Sequence, residues 1–304
     1  MNDRTATSSD FSDNAVIDLL HALCGKHGIH ASLATVANYR AIFARDAVMA
    51  GIAGLLLGDD VITAGLVRTL DRLRELQGNE GQIASNFELR DNAAAHVSFG
   101  TLAPRIDAAT WYLLGTAIAA RAGALDPESF RASVEKVVRC LDALEYNGRH
   151  LIYVPTGGNW ADEYIYEGYI LYDQVLRGWG LRIAGAVYQQ PRWIEKGQNI
   201  GEAILTRYAP RTVNAPPYPI AAFSPARDHD FFDLAATSLL ALSGLAPSLA
   251  SRSLDWVTSQ FVMRGELPPA FHPVINEGDP DWPALRRYHL HGFRNAPHEY
   301  HNGG

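Results

Sequence analysis

The order of helical segments is the feature of this sequence that most constrains its fold. Apolar helical stretches alternate with amphipathic ones, and long polar loops separate the pairs. The segment 43–57 is apolar almost all round after its first residues, whereas 61–76 has a leucine stripe and a face that carries three arginines. A helix that is apolar on all sides is typically buried, and one with a single apolar stripe packs against it from outside. We therefore predict an inner and an outer set of helices.

The same periodicity predicts further helices at 15–23, from Trp111 onward, and at 127–144, 169–188, 193–208, 231–242 and 249–263. Strand signals are weak, although 149–154 could form a hairpin, and the loop 79–104 is too polar and irregular for a packed element. We predict an all-α fold in which paired helices form a toroid, with the long loops gathered at one end around a site. Residues 1–11 are expected to be disordered, and 12–304 to form a single domain.

Composition narrows the partners of the chain. Acidic residues outnumber basic ones by 33 to 26, for a net charge of -7, which argues against a nucleic-acid surface or a polybasic membrane anchor. The N-terminus lacks the apolar core of a signal peptide, and the longest apolar stretch, 47–57, is too short to span a bilayer. Cys24 and Cys140 are expected to be buried free thiols. We predict a cytoplasmic protein with no cofactor; a homo-oligomer stays open.

Residues 99–114 combine a helix stop with a helix start. Pro104 ends the element before it, Asp107 follows three residues later, and an apolar helix continues from Trp111. The spacing alone predicts that Asp107 is an N-cap or first-turn acid. Whether it also has a chemical role depends on the residues that surround it.

The loops and helix starts concentrate acids, aromatic residues and amides. The residues concerned are Arg45, Asp46, Gln82, Glu88, Trp160, Asp162, Glu163, Tyr164, Tyr166, Glu167, Tyr300, His301 and Asn302. Aromatic faces beside carboxylates suit a sugar, because its flat C–H surface stacks on rings while its hydroxyls bind polar acceptors. Structural explanations stand beside this one. Arg45 and Asp46 could be an ion pair at a helix start, Asp162 and Glu163 a first-turn acidic pair, and Trp160 a core residue.

Other chemistries fit less well. His289, His291, His298 and His301 crowd the end of the chain, but their spacing matches no zinc pattern, so we predict no metal site. The sequence contains no Gly-x-Ser-x-Gly, no phosphate-binding glycine loop and no dinucleotide-binding fingerprint. Hydrolysis by paired carboxylates is the enzyme class that remains.

Several of these stretches, in order, resemble the six-hairpin, (α/α)6-barrel glycoside hydrolases, particularly alkaline/neutral invertases and glycogen-debranching-type glucosidases. Leu-Ala-Pro-Arg-Ile-Asp-Ala-Ala-Thr-Trp at 102–111 is similar to the invertase stretch Val-Ala-Pro-Val-Asp-Ser-Gly-Leu-Trp, whose aspartate is the general acid. Asn-Ala-Pro-His-Glu-Tyr-His-Asn-Gly-Gly at 295–304 resembles the family's Asn-Thr-Pro-Trp-Ser-Tyr-His-Asn-Gly-Gly. Phe-Ala-Arg-Asp at 43–46 and Asp-Phe-Phe-Asp-Leu-Ala at 230–235 resemble two helix starts. The resemblance covers roughly residues 40–304.

The resemblance implies a toroid of helical hairpins that hydrolyses an α-glucoside, such as sucrose or a short α-glucan, with inversion. It implies that Asp107 is the general acid. The implied sugar-binding residues are Arg45, Asp46, Gln82, Trp160, Asp162, Tyr300, His301 and Asn302. Inversion also needs a second carboxylate to activate water, with the two carboxyl groups roughly 6.5–9.5 Å apart.

In the family, the Tyr-His-Asn-Gly-Gly motif opens another inner helix, and the base glutamate lies further along. Because this sequence stops at Gly304, we expect it to be truncated, with an incomplete toroid. Alternatively, an internal acid such as Glu163 or Glu167 replaces the base, and we take Glu163 as the second catalytic candidate. Two other functions stay open: a catalytically inactive carbohydrate-binding toroid, and a sugar isomerase or epimerase of the same fold.

Overall fold

The computed structural model describes residues 13–34, 39–90, 93–146, 148–210, 212, 215–287 and 292–304. The predicted disordered N-terminus, 1–11, lies outside them. Helices dominate the described part of the chain. They are α1 (Asp13–Leu23), α2 (Ala44–Leu57), α3 (Asp60–Glu75), α4 (Ile106–Arg121), α5 (Pro127–Asp142), α6 (Leu171–Val187), α7 (Pro191–Arg207), α8 (Leu234–Ser243), α9 (Pro247–Gln260) and α10 (Trp282–Arg287), with a 3-10 turn at Val262–Arg264.

The helices after α1 pack in pairs: α2 with α3, α4 with α5, α6 with α7, and α8 with α9. The first members of these pairs also pack in series, from α2 through α4 and α6 to α8. Every residue of α4 from Asp107 to Ala119 is buried, whereas α5 buries one stripe that includes Phe130, Val134 and Leu141. The predicted division into a buried inner helix and an amphipathic outer one is seen in α4 and α5, while closure into a toroid stays a prediction.

Helix α2 departs from the interior position predicted for it. Its buried face is made of small residues, including Ala47, Val48 and Gly51. On its other side, Met49 and Leu57 are 45% and 61% exposed, and Leu56 is 84% exposed. Because α2 has an inner neighbour in α4 alone, its second apolar side faces solvent in the described structure.

The all-α prediction is wrong in one respect, because short strands occur in the loops. They are β1 (Cys24–Gly25), β2 (Gly28–Ile29), β3 (Ile42–Phe43), β4 (Asn86–Arg90), β5 (Ala93–Ser98), β6 (Tyr169–Ile170), β7 (Ala222–Phe223), β8 (Asp228–His229), β9 (Phe232–Asp233) and β10 (Phe271–His272). They form small antiparallel sheets in the orders β1-β2, β3-β4-β5, β6-β7-β8 and β10-β9.

The loop 79–104, predicted to lack packed elements, holds the longest of these strands. Phe87 in β4 is fully buried and its neighbours are polar, so a period of two was present but spanned only five residues. Asn86 lies opposite Phe43 on one side and Ser98 on the other. The run 149–154 forms only isolated bridges, at Ile152 and Val154.

Short strands come directly before three inner helices: β3 before α2, β6 before α6, and β9 before α8. The predicted helix start at Tyr169 is therefore a strand residue and that at Phe231 lies in a bend before β9, and the helices begin at Leu171 and Leu234. Each strand pairs with a strand from a later loop, β4, β7 or β10. This pairing ties the loops to the N-terminal ends of the inner helices.

One hydrophobic cluster extends along the chain from Ile29 to Leu285. Both cysteines are free thiols but only partly buried, and burial raises the pKa of each. Across the ranges given above, no helix combines the length and apolarity that crossing a membrane requires.

Candidate active site

Each inner helix carries an aspartate at its start. Asp46 and Asp173 are third residues of α2 and α6, Asp107 is the second residue of α4, and Asp233 is the N-cap of α8. A carboxylate is favoured at a helix N-terminus by the helix dipole. The charge of Asp46 raises the pKa of Asp107, and those of Asp107 and Asp233 raise that of Asp173, so these starts are neighbours in space.

A cavity of about 440 Å³ opens at the starts of α2 and α4. Its walls come from β3, α2, the β4–β5 hairpin, the start of α4, the loop before β6 and the last residues of the chain. The lining residues are Tyr39, Phe43, Arg45, Ser85, Asn86, Ser98, Gly100, Thr101, Arg105, Asp107, Ala108, Trp160, Asp162, Glu163, Arg294 and Tyr300.

Asp107 is a buried acid in the wall of this cavity, with only 2% of its surface exposed. Of the two positions predicted for it, it takes the first turn of α4, and the N-cap is Arg105, without a side-chain bond. Oδ2 of Asp107 accepts a hydrogen bond of 3.0 Å from Arg45. Burial raises the pKa of Asp107, although the Arg45 and Arg105 guanidiniums act in the opposite direction. Burial therefore makes the proton of Asp107 harder to lose than that of a solvated carboxyl group.

The other two acids in the cavity also contact arginines. Arg105 forms a short ion pair with Asp162. Arg294 contacts both oxygens of Glu163, at 2.9 Å to Oε1 and 3.2 Å to Oε2, and the Glu163 side chain is 1% exposed. Such bidentate geometry fixes the orientation of both groups.

Trp160 supplies an aromatic wall. Its ring stacks on Phe271 at a centroid distance of 5.3 Å and meets the edge of His301 at 5.2 Å. Its indole Nε1 is buried and has no hydrogen-bond partner among the described residues.

A second cavity of about 590 Å³ shares Arg45, Trp160 and Tyr300 with the first and is lined mainly by apolar residues of α2, α4, α6 and α8. His301 lines this second cavity. Burial lowers the pKa of His301 to about 4, and its Nδ1 is an unpartnered buried atom within the described structure. The imidazole is therefore neutral at neutral pH.

Six of the ten sequence-predicted site residues line the first cavity: Asp107, Glu163, Arg45, Trp160, Asp162 and Tyr300. His301 lies next to it, and Asp46 lies behind it in an ion pair with Arg45 at 3.4 Å. Gln82 and Asn302 line neither cavity. Gln82 is exposed and accepts from the Glu80 N–H. Asn302 is fully buried, and its amide joins the chain end to the backbone of Ile275 and Asn295.

Sequence reasoning missed the polar residues Asn86 and Arg294. Asn86 lies on the unpredicted strand β4, and its buried Oδ1 has no partner within the described structure. Arg294 is near the Asn-Ala-Pro motif, but nothing local indicates its contact with Glu163, 131 residues away. Arg105 could have been chosen as a site residue from the sequence, because it lies inside the Ala-Pro-Arg-Ile-Asp motif that also contains Asp107.

Within the described ranges, no three His, Cys, Asp or Glu side chains gather in a way that could hold a metal ion. His289 and His291 lie outside those ranges, and the absence of a metal site stays a prediction. His298 does not line either cavity.

No family model and no curated protein matches this chain in sequence. Solved structures do match its fold. A rhamnosidase from Klebsiella oxytoca with rhamnose bound superimposes with a TM-score of 0.58 at 12% identity, over 84% of this chain and 49% of that one. An alpha-amylase from Clostridium perfringens matches with a TM-score of 0.56 at 11% identity, over 84% and 72% of the two chains. A glycosidase variant in complex with glucose gives 0.57 at 17% identity, over 83% and 72%.

These matches show that the chain has a fold found in glycoside hydrolases. At such low identity they show nothing finer, and the invertase-like family in particular is not identified by them. The chain spans about half the length of the rhamnosidase that it matches.

Proposed function

We propose that this chain acts as an inverting glycoside hydrolase on an α-glucoside, such as sucrose or a short α-glucan, with Asp107 as the general acid. The observation that carries the proposal is the environment of Asp107. Its carboxyl group is buried in the wall of a polar cavity, and this burial raises its pKa. A general acid must hold its proton near the operating pH, and desolvation raises a carboxyl pKa toward that range.

The remaining walls support a sugar ligand. Trp160, Tyr39 and Tyr300 offer ring surfaces, while the unpartnered Trp160 Nε1 and Asn86 Oδ1 offer a donor and an acceptor. Sugars bind to such combinations of apolar faces and polar edges. Two solved structures of similar fold contain rhamnose and glucose, which also supports a monosaccharide unit as the ligand.

Glu163 is our candidate for the base that activates water. It lines the same cavity as Asp107, and each of its oxygens already accepts from Arg294. A carboxylate oxygen has further lone pairs, so a water can bind there without removing the arginine. Arg294 would then fix the direction from which the water attacks.

A carbohydrate-binding protein without turnover is the second candidate. It is favoured by one observation: each acid that lines the cavity contacts an arginine, Asp107 with Arg45, Asp162 with Arg105, and Glu163 with Arg294. If Glu163 does not activate water, the cavity retains its sugar-binding surface and lacks a base.

The deciding experiment combines binding and product analysis. Wild-type protein is titrated with glucose, sucrose and maltose by calorimetry, and product anomers are followed by proton NMR. We expect binding, release of glucose and initial formation of the inverted β-anomer from maltose. Asp107→Asn should bind sugar and release none, whereas Asp60→Asn, at the exposed start of α3, should behave like the wild type. Binding without release by the wild type would favour the second candidate, and unchanged hydrolysis in Asp107→Asn would contradict the role of Asp107.

The same NMR spectra test the isomerase or epimerase alternative. An enzyme of that class would convert glucose itself into another sugar, whereas a hydrolase leaves glucose unchanged apart from mutarotation. We expect glucose to be unchanged, because the described histidine beside the site, His301, lines the second cavity and not the one that holds Asp107.

A further inference from the structure

A chain of buried polar side chains connects the starts of α6 and α8 to the site. Asn159, in the loop before β6, donates from Nδ2 to Oδ2 of Asp173 and to the hydroxyl of Tyr166, both at 3.1 Å. The Tyr166 hydroxyl in turn donates to Oδ2 of Asp233, at 3.4 Å. These four side chains are at most 2% exposed, and none of them lines either cavity.

The direction of these hydrogen bonds is fixed by chemistry. The amide nitrogen of Asn159 can only donate, so the Tyr166 oxygen accepts from it and the single Tyr166 proton points to Asp233. The amide oxygen of Asn159 accepts from the backbone N–H of Ala161 at 3.2 Å. With the amide flipped, Nδ2 would face the Ala161 N–H, donor against donor, so the Ala161 contact fixes the orientation of the Asn159 amide and directs its nitrogen to Asp173 and Tyr166.

Asn159 also contacts the start of α4. Arg105 donates to the backbone oxygens of Asn159 and Gly157, each at 2.8 Å, and the Ile106 N–H donates to the oxygen of Gly158 at 2.7 Å. Arg105 forms the ion pair with Asp162 and lies close enough to Asp107 to lower its pKa. The loop that holds Arg105 in place is thus the loop that Asn159 anchors.

We propose that Tyr166 and Asp233 are positioning residues for the site: through Asn159 they fix the loop that holds Arg105 beside Asp107 and Trp160 in the cavity wall. Asp233 therefore acts on the site from α8, a helix whose start contacts no part of the cavity that contains Asp107. The inference rests on the proposed function for its catalytic consequence, but the contacts that it concerns exist independently of catalysis.

The test uses variants that remove single polar atoms. Tyr166→Phe keeps the ring and removes the hydroxyl, and Asp233→Asn keeps an N-cap residue while placing an amide opposite Tyr166. Tyr112→Phe is the matched control, because Tyr112 is also a buried tyrosine whose hydroxyl makes a side-chain hydrogen bond, 2.8 Å to Ser133, on the side of α4 that faces α5.

The first readout needs no substrate. The Asp107 carboxyl carbon is followed by NMR in protein labelled with ¹³C-aspartate and is assigned with Asp107→Asn. The charged or titratable groups that act on Asp107 are Arg45 and Asp46 from α2 and Arg105 from the start of α4, with Tyr172 and Asp173 on α6 as further neighbours. Because Arg105 lowers the pKa of Asp107, loosening its loop should move the Asp107 titration to higher pH in Tyr166→Phe and in Asp233→Asn.

The second readout is hydrolysis of maltose. We expect kcat to fall about two- to tenfold in Tyr166→Phe, the effect of one hydrogen bond, with little further loss in the Tyr166→Phe/Asp233→Asn double variant because both residues act through one chain. Tyr112→Phe should change thermal stability without moving the titration or kcat.

An unmoved Asp107 titration in both variants would overturn the proposal, whatever their melting temperatures. An equal shift in Tyr112→Phe would overturn it too, because a general loosening would then be the cause. If the wild type hydrolyses none of the sugars, the proposed function fails while the NMR comparison still decides the positioning role.

Discussion

Two aspartates at the starts of neighbouring inner helices, Asp107 on α4 and Asp173 on α6, can be compared directly. Both are buried, and burial raises the pKa of both. Asp107 contacts Arg45 and lines a cavity, whereas Asp173 accepts from Asn159, leaves its Oδ1 without a partner in the described structure and lines neither cavity. A carboxyl group in the first turn of an inner helix thus lines the cavity in one case and makes an internal polar contact in the other.

The comparison teaches that a helix start sets the location of a carboxyl group but its neighbours set its chemistry. At α4 the residues after Asp107 are largely apolar, and Arg105 comes from the loop before the helix. One side of Asp107 faces the cavity. At α6 the loop residue Asn159 covers the acid. A proton on Asp173 has no route to a bound sugar that avoids the protein interior.

Replacing each aspartate with asparagine should separate the two most strongly. General acid catalysis contributes about 10²–10⁴-fold, so Asp107→Asn should lower kcat for maltose by about that factor. Asp173→Asn should keep kcat close to the wild-type value, because the asparagine oxygen can still accept from Asn159. The measurement is steady-state glucose release by both variants, with folding checked by circular dichroism; equal losses would contradict the distinction.

The pH dependence of the free energy of unfolding should show the effect of the buried aspartate Asp233. Burial raises the pKa of Asp233 to about 7, from an ordinary value of 3.8. Because the folded state binds the proton more tightly, the Asp233 contribution is fully favourable below about pH 4 and is lost as pH rises toward 7. The difference corresponds to about 4 kcal/mol.

Asp233→Asn should remove most of this loss of unfolding free energy between pH 4 and 7, since asparagine does not titrate and still caps α8. Urea unfolding of the wild type and Asp233→Asn between pH 4 and 8 measures the difference, and Asp255→Asn, an exposed aspartate on α9, is the control. Parallel pH curves for the wild type and Asp233→Asn would show that Asp233 is already ionised at low pH.

Arg45 is the group that distinguishes Asp107 from Asp173, and removing it should make the two more alike. The Arg45 guanidinium acts to lower the pKa of Asp107 against the effect of burial, so Arg45→Gln should raise that pKa further. The basic limb of the kcat/KM profile should move to higher pH accordingly. Arg121→Gln, at the exposed C-terminal end of α4, should leave the basic limb in place. A basic limb that moves to lower pH in Arg45→Gln would rule out Asp107 as the acid.

Local patterns explain why much of this arrangement was predictable. Apolar residues of the longer helices recur every three to four positions over ten or more residues, and this periodicity is a strong signal. Asp107 and Trp160 lie in short segments whose composition can be recognised in the sequence. Strand β4 spans five residues inside a polar loop, so its alternation of Asn86, Phe87 and Glu88 was indistinguishable from irregular structure. With β4 unrecognised, the side of the loop that faces the site could not be assigned.

The contacts that set the chemistry of the site were beyond reach for a different reason. Arg294 meets Glu163 across 131 residues, and Tyr166 meets Asp233 across 67. Such pairs depend on how the loops return over the helix starts, and a single sequence carries no periodic record of that path. Sequence indicated which polar residues were available, while the pairing emerged only from the fold.

The smallest expected effect contrasts Gln82, which the sequence favoured, with Asn86, which it missed. Asn86 lines the cavity with an unpartnered buried oxygen, so Asn86→Ala should weaken glucose binding by one hydrogen bond, about two- to twelvefold. Gln82 is exposed and outside the cavity, so Gln82→Ala should leave the affinity unchanged and alter the free energy of unfolding by no more than about 0.5 kcal/mol. Calorimetric titration of both variants with glucose measures the contrast. Weaker binding in Gln82→Ala alone would contradict the assignment of Asn86 to the sugar-binding wall and would place the loop before β4 at the ligand instead.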